Sequence, residues 1–460
     1  MSLIKSISGF RGTIGGKANE NLTPIDIVKF ASAYGSWLIQ KSPGKKKVVV
    51  GRDGRISGPM VEVLVEQSLM ALGIDVIHLG LSTTPTVEMA VVFEKADGGI
   101  ILTASHNPKE WNALKLLNEK GEFVSGEEGK TILNIAANED FNFATIDQLG
   151  KLIHNDNSLE KHIQAIVNYP LVDINAIRAA NFSVIVDAIN SSGAFAVPQL
   201  LNAIGVNRIT VLNEQIHGNF AHNPEPLKEH LTALCSEVIN KKASIGIAVD
   251  PDVDRLCFVS ENGELFGEEY TLVAVADYIL QNKKGATVSN LSSTRALRDV
   301  TQKYGCTYFA SAVGEVNVVN KMKTENAVIG GEGNGGIIIP DLHFGRDALI
   351  GIALFLSHLA KSKMSASSLK DSYPAYYMSK KKMNLDASLS LSKIFDQLAL
   401  KFTAHPMNRE DGLKIDFENE WVHLRSSNTE PIIRIYTEAT SQEAADKLAD
   451  EIISIIQTIQ

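Results

Sequence analysis

The stretch KKVVVGRDGR, residues 46–55, is a run of β-branched residues that ends in a polar, glycine-bearing loop. A helical stretch MVEVLVEQSLMAL (60–72) follows, then Gly73 and a second apolar run, IDVIHLG (74–80). The order is strand, polar loop, amphipathic helix, helix-ending glycine, strand, and it recurs twice. FSVIVDAINSSG (182–193) leads through AFAVPQLLNAI and Gly205 to VNRITVLN (206–213), and ATVSNLSST (286–294) leads through ALRDVTQKY and Gly305 to CTYFASAVG (306–314). Asp53, Asp187 and Asn290 hold the same place in the three loops. Each copy reads as a βαβ unit, which implies a parallel sheet covered by helices on both faces. Such units recur in any large α/β protein, but repetition of the whole order points to internal duplication.

Working outward, each copy is followed by one more short apolar strand that ends in a polar loop. These loops are ILTASHNP after the first, IGIAVDPDVDR after the second and AVIGGEGNGG after the third. Ligands of open α/β sheets gather at the carboxyl ends of strands, so the three loops are candidates for one site. The last part of the chain differs. YYMSKKKMNL, a helix through SLSKIFDQLALKF, strands near Lys414 and Trp421, the loop RSSNTEP and a closing helix from Ser441 make an α+β pattern. The expected fold is therefore α/β, with three similar domains of mixed, largely parallel sheets at residues 1–153, 154–258 and 259–371. A smaller α+β domain follows at 372–460. AANEDFNFATIDQLGK (136–151) is the linker-like stretch between the first two domains.

Composition narrows the function classes. A chain of 460 residues is too long for one ordinary core. Its 44 Lys and Arg against 53 Asp and Glu give a formal charge of −9, with no basic excess to neutralise nucleic-acid phosphates. An anionic ligand would have to be held by local Arg, Lys and backbone N–H groups. Cys235, Cys257 and Cys306 form no CxxC spacing, which excludes a cysteine-built zinc site and suggests a reducing compartment. The N-terminal residues, with Lys5 and Arg11, show no signal-peptide pattern, and the apolar stretch near Ala348–Leu356 is too short to span a bilayer. The expectation is a cytoplasmic protein with no membrane partner.

The loops carry the chemistry. Asp250, Asp252 and Asp254 alternate directly after the strand IGIAV, a set of hard oxygen ligands suited to Mg²⁺. An EF-hand loop would place Glu261 at its twelfth position, but Arg255 stands where that loop needs glycine, and a strand precedes it. RSSNTEPIIR offers Arg425, Ser427, Asn428, Thr429 and Arg434, either as a Ser/Thr turn between strands or as a phosphate cradle. In GGEGNGG (330–336), Glu332 and Asn334 are hydrogen-bonding groups on a glycine-rich turn that lacks the dinucleotide spacing. SGFRGTIGG places Arg11 among glycines, either as a second anion contact or as no more than a flexible N-terminal turn. GRDGRISGP (51–59) reads as a turn whose Arg and Asp pair with each other, outside the site. Ser105, flanked by His106, has no GxSxG elbow, so a hydrolase triad is poorly supported. A serine beside a metal loop and phosphate-binding loops suggests phosphoryl transfer, with Lys115 balancing phosphate charge or moving a proton.

Taken in this order, SGFRG, TASHNPKEWNALK, DPDVDR, GGEGNGG and RSSNTEP resemble the α-D-phosphohexomutase superfamily, across essentially the whole chain. The resemblance implies four domains around a central cleft and interconversion of hexose 6- and 1-phosphates through a phosphoserine enzyme and a sugar bisphosphate. It makes Ser105 the phosphoserine, with Ser105, Asp250, Asp252 and Asp254 around one Mg²⁺ per chain. Arg11, Lys115 and His106 become catalytic candidates. Arg255, Glu332, Asn334, Arg425, Ser427, Asn428, Thr429 and Arg434 become substrate-binding ones. The implied partner is a phosphosugar, and the chain a monomer or homodimer. Many relatives carry Ser and His in the sugar loop where this chain has Asn334 and Gly336, so a family acid/base histidine is missing, and His343 is not an obvious replacement. The glycine-rich and aspartate loops are most similar to the archaeal-type phosphoglucosamine branch. Gly333 and Gly336 are expected to leave room in the loop for a substituent or a water. The alternatives are a dual-specificity glucose/mannose mutase, a haloacid-dehalogenase-like phosphatase with Asp250 as nucleophile, and a non-catalytic sugar-phosphate sensor.

Overall fold

The computed structural model describes residues 2–6, 9–384, 391–426 and 432–459. It divides into two compact units, Met1–Thr271 with Asn334–Ser368, and Leu272–Gly333 with Leu369–Gln460.

The first unit contains a seven-stranded sheet of β1 (Ile4–Ser6), β2 (Gly9–Thr13), β3 (Lys47–Arg52), β4 (Asp75–Leu81), β5 (Gly98–Leu102), β6 (Trp111–Leu117) and β7 (Leu152–His154), in the order 1-2-6-5-3-4-7. β3 pairs in parallel with β4 and β5, while β2 and β6 add antiparallel partners. The run Val48-Val49-Val50 is fully buried because both faces of this strand are covered. Successive side chains point to opposite faces. Val48 and Val50 join a core built with Phe30 and Tyr34 of the helix Pro24–Lys41 and Val61 and Val65 of the helix Gly58–Ala71. Val49 joins the opposite core, with Val87 and Val91 of the helix Thr84–Phe93. Ile100 and Leu102 of β5 fall in the first core and Ile101 in the second, as the same alternation requires.

A second sheet in this unit comprises β8 (Ser183–Asp187), β9 (Arg208–Leu212), β10 (Ile245–Val249) and β11 (Leu256–Ser260), in the order 11-10-8-9. β8 is parallel to β9 and β10, and β11 returns antiparallel to β10.

In the second unit β12 (Thr287–Asn290) pairs in parallel with β13 (Tyr308–Ser311) and β14 (Ile329–Glu332), the same arrangement a third time. β15 (Gly336–Ile338), next in the chain, belongs to the first unit. An antiparallel five-stranded sheet of β16 (Tyr377–Asn384), β17 (Met407–Asn408), β18 (Leu413–Asp416), β19 (Trp421–Ser426) and β20 (Ile432–Ala439) runs in the order 16-20-19-18-17. The helices Leu391–Lys401 and Gln442–Ile459 pack on it through Ile394, Leu398, Leu448 and Ile452.

The repeat extends to the way each helix stops. Gly73, Gly205 and Gly305 have φ of +84°, +93° and +67°. In each copy the next residue donates its N–H back five residues, Ile74 to Leu69, Val206 to Leu201 and Cys306 to Thr301, at 3.1, 2.9 and 3.1 Å. This is the Schellman closure that a left-handed glycine permits. It turns the chain sharply enough to enter the next parallel strand.

Candidate active site

β5 ends at Leu102, and Ser105 three residues later has φ of +50°, a left-handed conformation that a non-glycine residue adopts at a cost. Its N–H donates to Thr103 Oγ1 at 2.8 Å and its Oγ donates to Asp250 Oδ2 at 2.6 Å, with His106 Nδ1 3.5 Å from Oγ. The loop is held from beneath by Arg55, whose guanidinium donates to the carbonyls of Ser105, Asn107, Pro108 and Trp111. Arg55 Nε is paired with Asp53 Oδ2 at 3.0 Å, and Thr103 Oγ1 donates to the same oxygen at 2.6 Å. The pairing read within GRDGR is therefore present, but its arginine also frames the serine loop.

The aspartates occupy the turn between β10 and β11. Asp250 Oδ1 accepts the N–H groups of Asp254 and Arg255, both at 3.1 Å, which curls the turn around its own first carboxylate. Val253, between Asp252 and Asp254, has φ of +61°, and a β-branched residue there marks real strain. Asp252 Oδ2 accepts from Thr84 Oγ1 at 2.6 Å and from Lys115 Nζ at 2.7 Å; Asp254 Oδ2 accepts from Arg346 at 2.7 Å. Asp252 Oδ1 and Asp254 Oδ1 are buried with no hydrogen-bond partner. Buried carboxylate oxygens are ordinarily satisfied, so these two, beside Asp250, fit the donor set of a hard divalent cation. One oxygen from each of the three carboxylates lies within 4.8 Å of the others.

The electrostatics follow from packing. Burial, and then the neighbouring Asp252 and Asp254, push the Asp250 carboxyl up. Burial also opposes ionisation of Asp252, but the Lys115 ammonium and the hydrogen bonds from Lys115 and Thr84 outweigh it and hold that carboxyl well down. For Lys115 burial favours the neutral amine, and Asp252 and Asp254 reverse this, so the group stays an ammonium. Burial, then Arg255 and Arg346, keeps the His106 imidazole neutral. Arg255 pairs with Glu225 at 3.1 Å. Arg11 lies opposite Ala113 in the β2–β6 ladder, which puts it on the same sheet face as Lys115, two residues further along β6.

Asn334 Oδ1 accepts the N–H of Gly336 at 3.2 Å, closing the glycine-rich turn. The expected room beside Gly336 is absent. A Cβ there would lie 2.3 Å from Arg346 Cδ, because the arginine crosses this glycine to reach Asp254. In the second unit Glu332 is buried and accepts from Asn290 Nδ2 at 2.9 Å and from the N–H of Gly314 at 3.0 Å. Arg425 pairs with Asp411 at 2.7 Å and stands opposite Arg434 across β19 and β20. Ser427, Asn428 and Thr429 lie outside the described residues. His343 is held between Glu88 and Asp347, at 3.3 Å from each.

Sequence reasoning thus brought Ser105, His106, Lys115, Asp250, Asp252, Asp254 and Arg255 to one place, and missed Arg55, Thr84, Thr103 and Arg346. Arg346 had a signal: it directly precedes Asp347, which caps the apolar helix Ala348–Ser362 and so fixes where the arginine emerges.

Sequence profiles of the phosphoglucomutase/phosphomannomutase domains match in order: alpha/beta/alpha domain I over residues 4–143, domain II over 160–263, domain III over 267–377 and the C-terminal domain over 380–455. The chain is 35% identical to a phosphoglucomutase/phosphomannomutase of Thermococcus kodakarensis, covering 97% of this chain and 98% of that one. It is 30% identical to a phosphoglucosamine/phosphogalactosamine mutase of Sulfurisphaera tokodaii, covering 99% and 100%. Its fold is shared with the crystal structure of a phosphoglucomutase/phosphomannomutase family protein from Burkholderia thailandensis, with a TM-score of 0.83, 24% identity and coverage of 99% and 98%. With identity at this level along nearly its full length, and a strand-tip serine bonded to a carboxylate triad, the chain belongs to the phosphoglucomutase/phosphomannomutase family and is a phosphomutase, an intramolecular phosphotransferase.

Proposed function

We propose that this phosphohexomutase works through a phosphoserine at Ser105 and that its substrate is glucosamine phosphate, interconverted between the 6- and 1-phosphates. The observation that carries the mechanism is the Ser105 Oγ–Asp250 hydrogen bond, which sets a strand-tip hydroxyl against the first of the three carboxylates. In the forward step the bond from phosphorus to Ser105 Oγ breaks and a bond to the free sugar hydroxyl forms. The sugar hydroxyl loses its proton, Ser105 Oγ regains one, and the product is a sugar bisphosphate. The second step runs the same exchange with the other phosphate, so Ser105 is phosphorylated again.

Asp250, Asp252 and Asp254 would hold Mg²⁺, which when bound draws charge from the phosphoryl oxygens. Lys115, kept protonated by its two aspartates, supplies fixed positive charge rather than a base, and with Arg11 on the same face it offsets the transferring group. His106 would carry the serine proton, a role supported by its neutral ring 3.5 Å from Oγ. Arg425 and Arg434, like charges directly opposed on neighbouring strands, form a pair that an anion would stabilise, which supports a role in holding the non-reacting phosphate. Glu332 supplies a carboxylate for ring hydroxyls. A phosphatase using Asp250 as nucleophile would not need Ser105, so the Ser105→Ala variant separates it from the mutase.

The amino-sugar reading rests on the Sulfurisphaera tokodaii relative and on others named probable phosphoglucosamine mutases, such as that of Methanopyrus kandleri at 32% identity. The Thermococcus kodakarensis relative favours the second reading, dual action on glucose and mannose phosphates. Comparison of kcat/KM for the phosphates of glucosamine, glucose and mannose separates them. A preference for glucose or mannose phosphate above about a hundredfold, roughly 2.7 kcal/mol, overturns the amino-sugar assignment. Intact mass should show one phosphoryl group that Ser105→Ala lacks, together with nearly all of the activity lost. An active Ser105→Ala enzyme would overturn the mechanism itself.

A further inference from the structure

A second cluster in the first unit lies apart from the three aspartates. Thr86 and Glu88 come from the helix Thr84–Phe93, His162 from the helix Ser158–Val167, and His343 and Asp347 from the segment leading into the helix Ala348–Ser362. The His162 imidazole is oriented by a hydroxyl at Nδ1, and His343 has a carboxylate within ion-pair distance of its Nδ1. His162 Nδ1 is 3.0 Å from Thr86 Oγ1, and His343 Nδ1 is 3.3 Å from Glu88 Oε2. Both Nε2 atoms therefore face one atom, Asp347 Oδ2, at 3.0 and 3.3 Å. The other oxygen of Asp347 is occupied, accepting the N–H of Leu349 at 2.8 Å as the helix cap.

Two nitrogens and one oxygen thus converge, mutually within 4.8 Å, and His162 and Asp347 are fully buried. A tetrahedral zinc with bonds of about 2.0–2.1 Å sets its ligands roughly 3.3 Å apart, which these separations match. An imidazole whose far nitrogen is tied to a carboxylate or hydroxyl is the usual state of a metal-ligating histidine. A divalent cation would also balance the two carboxylates, Asp347 and Glu88. Imidazole nitrogen selects zinc and its transition-metal neighbours over Mg²⁺, which takes oxygen.

We propose that His162, His343 and Asp347 bind a Zn²⁺, with Thr86 orienting the His162 ring, Glu88 beside His343 and water completing the fourth position. The site ties three separate segments together, one residue from Arg346 and so one residue from the contact with Asp254.

The test uses full-length protein purified without an affinity tag and held in excess Mg²⁺, which occupies the aspartate loop. One equivalent of zinc should survive dialysis. Its removal by a strong chelator should lower the melting temperature, and Zn²⁺ alone should restore it while Mg²⁺ does not. Co²⁺ in its place should give the intense visible bands of a four-coordinate site. His162→Gln and His343→Gln should each lose the zinc, while Asp250→Asn keeps it. Wild-type protein that retains no zinc, or that takes Co²⁺ only with the weak bands of a six-coordinate oxygen site, overturns the proposal. So do histidine variants that keep their zinc, or an Asp250→Asn variant that alone loses it. Should the histidine variants fail to fold, the wild-type zinc content and cobalt spectrum decide the matter.

Discussion

Arg55 commits its guanidinium to one loop. It is fully buried, pairs with Asp53, and donates to four carbonyls between Ser105 and Trp111. A planar fork can satisfy that many acceptors at fixed angles, whereas an ammonium cannot. Ser105 sits in a left-handed conformation that its surroundings must enforce, and Arg55 at its carbonyl is one of the groups that hold it, with Thr103 at its N–H and Asp250 at its hydroxyl. Arg55→Lys should therefore keep the fold but lower kcat by about a hundredfold, the usual consequence of misplacing a reacting atom by an ångström. Arg55→Met, which leaves Asp53 buried and unpaired, should add a stability loss of about 3–5 kcal/mol. Steady-state kinetics and urea unfolding measure the two effects separately. A lysine variant with normal kcat would remove Arg55 from any positioning role.

At the scale of the element, the Schellman closures separate two costs of a side chain. At Gly305 nothing lies within 4 Å of an added Cβ, so Gly305→Ala should show only the price of a left-handed alanine, about 1 kcal/mol. At Gly205 the same Cβ would come within 2.2 Å of Arg178 Cγ, so Gly205→Ala should cost more unless the arginine swings away. The midpoints of denaturant unfolding give both values, and equal losses would show that Arg178 moves freely. β18 carries a different burden. Lys414 is buried, with its Nζ 4.1 Å from the Trp421 ring centroid and donating to the Leu291 carbonyl at 2.8 Å. Burial pulls its pKa down to about 8, against the pull of Asp416 and Glu438. A pKa lowered in the folded state means that the unfolded chain holds the proton more tightly between pH 8 and the ordinary value of 10.5. Stability linked to this group is complete above the unfolded pKa and is lost as pH falls through the folded one. Lys414→Met should accordingly stabilise the protein at pH 7 by about 1–2 kcal/mol, and by less at pH 9.5. A benefit that grew with pH would contradict the burial argument.

For the molecule as a whole, the aspartate triad links metal to stability as well as to turnover. Three carboxylates buried together, two with an unpartnered oxygen, are a standing cost in the metal-free protein. A cation that binds the folded chain alone should stabilise it by about 2.7 kcal/mol at a hundred times its Kd. EDTA should abolish mutase activity, and Mg²⁺ should restore it and raise the unfolding temperature. Asp254→Asn should lose both responses, and differential scanning calorimetry with and without Mg²⁺ would show this. Turnover that survives chelation would exclude the metal from the reaction.

The local order of the chain determined much of this by itself. The β-branched runs at Val48–Val50 and Val184–Val186 and the glycines at 73, 205 and 305 set the βαβ units, because hydrophobic period and left-handed φ are properties of neighbours in sequence. The alternation of Asp250, Asp252 and Asp254 after a buried strand likewise reads as a metal loop without any fold in hand. What the tertiary structure decided are the pairings between distant segments. Arg55 looked like half of a closed pair and proved to be the floor of the serine loop. Gly336 looked like empty space and proved to be the path of Arg346 to Asp254. His162 carried no signal at all until packing set it against Asp347. Spacing along a chain records which groups share a helix or strand, but hydrogen-bond partners 50 to 185 residues apart are chosen by how helices and sheets pack. No local pattern encodes that choice.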